Sequence, residues 1–158
     1  MPAIQPSLWF DGNAEEAVRA YVELFPNSSV TRTSHYGPDS PGPEGEVMAL
    51  DFVLDGRPFN AINGGPQFPF TEAVSFTIPC ADQAEVDHYW FGLIADGGQE
   101  VQCGWLKDRF GLSWQVVPQA LGELLGDPDE GRRNRAMQAM LGMKRLVVAD
   151  LEAAADGA

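Results

Sequence analysis

The sequence predicts an α+β protein: two βαβββ modules in tandem, followed by a helical tail. Three observations carry this reading. Two helix-start signals, Asn13 and Asp82, lie 69 positions apart, and the strand before each keeps nearly the same offset. Each predicted helix is followed by short strand-like runs separated by turn residues. After Pro118 the apolar pattern switches to helical spacing. A supersecondary unit that recurs at a fixed period is the mark of an internal duplication.

Ile4 to Phe10 is short and apolar and stops at Asp11-Gly12-Asn13, which reads as a strand and a turn. Asn13 is placed to cap a helix, with Glu16 three residues on in a capping-box position. Ala14, Ala17, Val18, Tyr21 and Phe25 then share a helical face, closed by Pro26-Asn27. Val30 to Tyr36 reads as a strand, and the Gly- and Pro-rich stretch from Gly37 to Gly45 as an exposed loop. Val47 to Leu54 and Pro58 to Ile62 form a predicted hairpin through Asp55-Gly56.

The second module repeats the order. Ala73 to Cys80 reads as a strand, and Asp82 caps a helix with Glu85 three residues on. Val86, Tyr89, Trp90, Leu93 and Ile94 form its stripe, and Asp96-Gly97-Gly98 ends it. Glu100 to Gly104, Trp105 to Phe110 and Leu112 to Val117 are three further strand candidates. In the tail, Leu121, Leu124 and Leu125 begin one helix, and Asp127-Pro128-Asp129 starts another that carries Ala136, Met137, Met140 and Leu141. Leu146 to Ala155 is a third candidate. The expected layout is one domain, 1–158, with module one at 1–68, module two at 69–118 and a helical extension at 119–158.

Composition narrows the function classes. Of 158 residues, 44% are hydrophobic, enough for a packed core. Ten Lys and Arg against 23 Asp and Glu give a net charge of −13, a field that repels phosphate backbones, so nucleic acid is not an expected partner. No apolar run approaches the roughly 20 residues needed to span a bilayer, and no membrane partner is expected. Met1 to Gln5 shows neither the basic region nor the apolar block of a signal peptide. Two cysteines, Cys80 and Cys103, are too few for a disulfide framework. A cytoplasmic protein with free thiols is the expectation. Arg132, Arg133 and Arg135 form a dense basic cluster, read as an ion-paired helix face beside Asp127, Asp129 and Glu130.

The stretches Leu8-Trp9-Phe10-Asp11-Gly12-Asn13, Leu54-Asp55-Gly56, Asn63-Gly64-Gly65-Pro66, Gln102-Cys103-Gly104-Trp105 and Ser113-Trp114-Gln115 resemble the PhnB-like branch of the vicinal-oxygen-chelate, or glyoxalase/bleomycin resistance, superfamily. That branch is often labelled 3-demethylubiquinone methyltransferase-like. The resemblance implies paired βαβββ modules that form a curled mixed sheet around a cavity, within a homodimer. Superfamily enzymes hold a divalent metal with His and Glu on the first and last strand of each module. Carried over by strand, the positions here are Gln5, Asn63 (with Asn60 or Ala61 as alternatives), Ser75 and Gln115. None is anionic or an imidazole, so the expected metal is none and no cofactor is implied. His35, at a strand end, and His88, on the second helix, do not replace such ligands.

What remains is a polar, uncharged lining. Strand alternation puts Ser113 and Val117 on the face of Gln115, and Leu112, Trp114 and Val116 on the other. Gln5, Ser7 and Trp9 share a face on the first strand, and Thr77 joins Ser75. Cys103 and Trp105 complete the candidate ligand-binding set. Such a lining suits a small, neutral, partly aromatic molecule. Two other readings stay open: a metal-dependent lyase or dioxygenase of the glyoxalase type, and a methyltransferase. Against the latter, neither Asp11-Gly12-Asn13 nor Asn63-Gly64-Gly65-Pro66 forms the Gly-rich turn that opens a helix in a doubly wound nucleotide site. The polar residues could also serve only to satisfy buried hydrogen bonds, and whether the protein catalyses a reaction is left open.

Overall fold

The structure is a computed structural model and describes residues 4–158. The chain divides into two compact units, Met1–Phe70 and Thr71–Ala158. In the first, β1 (Ser7–Phe10), α1 (Ala14–Leu24), β2 (Ser29–His35), β3 (Val47–Leu54) and β4 (Arg57–Asn63) follow in chain order. In the second, β5 (Ser75–Cys80), α2 (Gln83–Ile94), β6 (Gln99–Glu100), β7 (Trp105–Lys107) and β8 (Ser113–Pro118) precede α3 (Gln119–Leu125), α4 (Glu130–Leu141) and α5 (Val148–Asp156).

Each unit holds one four-stranded sheet, in the order β1-β4-β3-β2 and β5-β8-β7-β6. The two orders are the same when counted from the first strand of each unit, as a duplicated βαβββ module requires. In both, the first strand pairs parallel to the last and the other pairs are antiparallel. Pro79 sits on β5, an edge strand, where a missing N–H costs least.

Period-two burial explains why these segments are strands. On β3 and β4, Leu50, Phe52, Leu54, Phe59 and Ala61 are buried, and they alternate with half-exposed neighbours. Together with Leu8 and Phe10 they share a core with Ala14, Ala17, Val18 and Tyr21 of α1, whose helical spacing brings those four to one face. Burying aromatic side chains such as Phe10, Tyr21 and Phe52 contributes about 2–3 kcal/mol each. In the second unit Ile78, Leu106, Trp114 and Val116 lie on the sheet face opposite Gln115, and Val86, Trp90 and Leu93 are the buried residues of α2.

The capping of the two helices differs. Asp82 accepts from Glu85 N at 2.9 Å, and the Glu85 carboxylate reaches back to Ala81 N at 2.7 Å, as the sequence predicts for α2. Asn13 makes no side-chain cap. Its expected role is taken by Asn63, whose Oδ1 accepts from Ala14 N, 49 residues away in sequence, at 2.9 Å while its Nδ2 donates to Val47 O at 2.9 Å. Asn63→Ala removes both bonds. It is expected to lower stability by about 1–2 kcal/mol in urea unfolding, with loss of the first turn of α1 visible by amide exchange.

Other strands begin or end one or two residues from expectation, as β5 does at Ser75 rather than Ala73, and three differ by more. The first strand begins at Ser7 rather than Ile4, and Gln5 lies exposed before it. The Glu100–Gly104 candidate is not a strand: β6 ends at Glu100, and Cys103 (φ 58°) and Gly104 (φ 83°) take left-handed conformations. That tight turn docks on the segment after α4, where Cys103 N donates to Met143 O and Gly104 N to Lys144 O, both at 2.8 Å. The Trp105–Phe110 candidate stops at Lys107. There the buried Asp108 carboxylate turns the chain by accepting from Phe110 N (2.9 Å), Leu112 N (3.0 Å) and Trp114 Nε1 (2.8 Å).

The C-terminal helices pack around Leu121, Leu124, Ala136, Leu146, Leu151 and Ala155, with Met140 and Met143 partly buried against them. The arginine cluster is absorbed structurally. Arg132 pairs with Asp127 and Asp156, Arg133 donates to the carbonyls of Asp127 and Pro128, and Arg135 donates to Ala154 O and Ala155 O at the end of α5. A cation on the last carbonyls of a helix complements its dipole. Gln83 of α2 fastens the tail by donating to Leu146 O (3.1 Å) and accepting from Val148 N (2.8 Å).

Candidate functional site

Each sheet has one face turned to its helix and an opposite face that mixes polar side chains with apolar ones such as Ala49, Val53 and Ile62 in the first unit, and each of these faces is described by itself. In the first unit the register pairs Ser7 with Asn60, Trp9 with Ile62, and Asn60 with Asp51. Ser7, Trp9, Asp51 and Asn60 therefore share the face opposite Leu8 and Phe10. Asn63, one position from Ile62, falls on the other side, where it holds the start of α1; Asn60, its alternative in the strand carry-over, faces Ser7. Ser7 Oγ donates to Asn60 Oδ1 at 2.9 Å, and Asn60 Nδ2 donates to Asp51 Oδ1 at 2.8 Å and Leu50 O at 3.3 Å.

Trp9 is fixed beside this group. Its Nε1 donates to Gly65 O at 2.8 Å, and its ring meets Phe68 edge-on at 5.0 Å. The Asn63-Gly64-Gly65-Pro66 stretch is explained by these contacts. A Cβ on Gly64 would lie 2.2 Å from the indole, and Gly65 has φ 98°. Tyr36 adds a hydrogen bond from its hydroxyl to Asn63 O.

In the second unit Gln115 pairs in register with Thr77 on one side and Trp105 on the other, and Ser113 with Ser75 and Lys107. The predicted alternation holds: Ser113, Gln115 and Val117 share one face, and Trp114 and Val116 the other. Gln115 Nε2 donates to Ser75 Oγ at 2.9 Å. Ser113 is 1% exposed, and its hydroxyl has no partner among the described residues. Lys107 pairs with Glu72, and that hydrogen bond holds the Glu72 carboxyl below the usual carboxylate range. Thr77 is exposed and Trp105 half-buried. Cys103 lies in the left-handed turn rather than on a strand.

Asp51 and Lys107 were not among the sequence-level candidates. The signal for Asp51 was present, since it is the one charged residue in the otherwise apolar run Val-Met-Ala-Leu-Asp-Phe-Val-Leu. Cys80 is no nucleophile. Burial first, with the nearby carboxylates of Glu85 and Asp82, pushes its thiol up to about 12, where it stays protonated. His35 and His88 are both exposed. Among the described residues no three His, Cys, Asp or Glu side chains are grouped as metal ligands would be.

A family profile described as 3-demethylubiquinone-9 3-methyltransferase matches residues 2–117. The chain belongs to this PhnB-like family. Among solved structures the PhnB protein of Bacillus cereus is 33% identical, with a TM-score of 0.68, over 74% of this chain and 99% of that one. Protein PA1353 of Pseudomonas aeruginosa shares the fold at 24% identity and a TM-score of 0.61, over 75% and 98% of the two chains. The fosfomycin resistance protein FosX of Listeria monocytogenes, solved with Mn(II) and sulfate, shares it at 15% identity and 0.53, over 79% and 95%. No curated relative matches the chain. The family rests on the profile and on the Bacillus cereus protein, the other two likenesses show the fold, and helices α3 to α5 lie outside the family match.

The metal that the superfamily implies is not fitted by this PhnB-like chain. Of the four carried-over positions, Asn63 is engaged with two backbone groups and its alternative Asn60 with Ser7, Asp51 and Leu50 O, Gln115 and Ser75 bond one another, and Gln5 lies outside β1. Amides and hydroxyls also bring no charge to offset that of a divalent cation.

Proposed function

We propose that this PhnB-like protein binds a small, neutral, partly aromatic molecule on the sheet faces turned away from α1 and α2, without a metal or other cofactor. The observation that carries the reading is that each module places a hydrogen-bonded neutral pair, Ser7–Asn60 and Ser75–Gln115, beside a tryptophan on the face away from its helix. Convergent polar groups on an aromatic background fix a ligand's orientation, and the aromatic surface supplies contact area. In this reading the protein acts as a homodimer in the cytoplasm, those faces are its ligand-binding region, and module one, module two and the helical extension work as one domain. That no helix of the described residues is long and apolar enough to cross a membrane is compatible with it.

Elemental mass spectrometry of untagged protein purified without chelator tests the metal-free part. Less than about a tenth of an equivalent of any transition metal is expected, since structural and catalytic sites retain theirs through purification. Near-stoichiometric metal overturns the reading in favour of the glyoxalase type. A thermal-shift screen of aromatic amides, phenols and S-adenosylmethionine tests the binding part, because any ligand of the folded state raises the melting temperature. Stabilisation by S-adenosylmethionine alone would favour the methyl transfer in the family's name. For a hit, Gln115→Ala is expected to weaken binding about tenfold while the ligand-free protein melts nearly as before. An Ala variant that unfolds, with no hit found, makes Gln115 a structural residue.

A further inference from the structure

The direction of every hydrogen bond in the Ser7–Asn60–Asp51 chain follows from chemistry. A carboxylate and a backbone carbonyl can only accept, so the Asn60 atom facing Asp51 Oδ1 and Leu50 O is its NH₂ group. The opposite amide atom is then the carbonyl oxygen, which also can only accept, so Ser7 must give its single proton to it. The donors of the chain are consumed internally. What it still offers is lone pairs: those of the Ser7 oxygen, and the second carboxylate oxygen of Asp51. The cation nearest in register, Arg32 of the edge strand β2, stands directly opposite Asp51 in the β2–β3 pairing and makes no ion pair with it among the described residues. Trp9 stands one pleat along from Ser7, and its own N–H is already given to Gly65 O, so its ring adds aromatic surface and no donor.

We propose that the first unit's face selects ligands by their hydrogen-bond donors: an aromatic molecule carrying a neutral N–H or O–H group, such as an amide or phenol. At the Ser7 and Asp51 oxygens an ester group is disfavoured because its oxygens would meet lone pairs with no proton between them, and a carboxylate or phosphate would also meet the Asp51 charge. This rests on the binding reading above and deepens it by naming the ligand's chemical class.

Three probes of nearly one shape separate the possibilities. Benzamide is neutral with two donors, methyl benzoate is neutral with none, and benzoate is an oxyanion with none. Each is titrated while the indole N–H resonance of Trp9 is followed by NMR. Benzamide is expected to bind at least about tenfold more tightly than either of the others. Asp51→Asn is nearly isosteric: its carbonyl oxygen can still accept from Asn60, which turns an NH₂ group outward. In that variant the preference is expected to collapse or to reverse toward methyl benzoate. Ser7→Ala, at an exposed position, removes one acceptor and should narrow the benzamide preference without reversing it. If methyl benzoate matches benzamide in the wild type, or Asp51→Asn leaves the ratio unchanged, donor selection is overturned and binding itself stands. If none of the three probes moves the Trp9 resonance at millimolar concentration, both are overturned.

Discussion

Asp108→Ala is expected to destabilise the protein by about 4 kcal/mol, seen as a lower midpoint in urea unfolding with an unchanged slope. The carboxylate is 5% exposed and accepts from two backbone N–H groups and the Trp114 indole. Removing it leaves three donors without this acceptor, two of them buried and Phe110 N part-buried, and each carries a desolvation cost of about 1–3 kcal/mol that local relaxation and water recover in part. Asp108→Asn separates the parts. Its Oδ1 can still serve Phe110 N and Leu112 N, but its NH₂ group would face the Trp114 N–H, donor against donor. About half the loss is expected, with the β7–β8 turn retained. Equal losses for the two variants would mean that the indole bond carries nearly the whole effect.

Gly104→Ala is expected to cost about 3 kcal/mol, for two reasons that can be measured apart. The residue has φ 83°, where a Cβ is strained, and that Cβ would lie 2.9 Å from Val116 O and 3.0 Å from Leu146 Cδ1. Gly111 supplies the control. Its φ is 88°, yet nothing lies within 4 Å of an added Cβ. Gly111→Ala should therefore show the backbone strain alone, about 1 kcal/mol, and the difference between the variants is the cost of the crowded contact. A Gly104 variant no worse than the Gly111 one would mean that β8 and Leu146 yield freely.

Much of this architecture could be read from residue order. The duplicated module was legible because its signals are local: a cap, a stripe at helical spacing, a hairpin at Asp55-Gly56. The alternation on β8 was equally local, so the positions of Ser113, Gln115 and Val117 followed from the strand period once Gln115 was set. The errors arose where a distant partner decides. Asn13 has the chemistry of a cap, but Asn63 arrives from β4 and takes the Ala14 N–H, which no window around residue 13 reveals. Likewise Trp105 to Phe110 has strand composition, yet one buried carboxylate ends the strand at Lys107. Within the candidate site, Ser75 and Gln115 were each named by the strand carry-over from the family resemblance, and the bond between them emerges only from the parallel pairing of β5 and β8. The Ser7–Asn60–Asp51 chain was not foreseen, because it depends on the registers of three strands at once.

The turn at Cys103 and Gly104 grips its neighbour only through main-chain oxygens, those of Met143 and Lys144. A substitution at 143 or 144 leaves these two acceptors in place, whereas a change in the route of the backbone does not. Insertions or deletions between α4 and α5 would shift both acceptors out of step with the turn. Among relatives that carry such a tail, the connection should accordingly hold its length more faithfully than its residues.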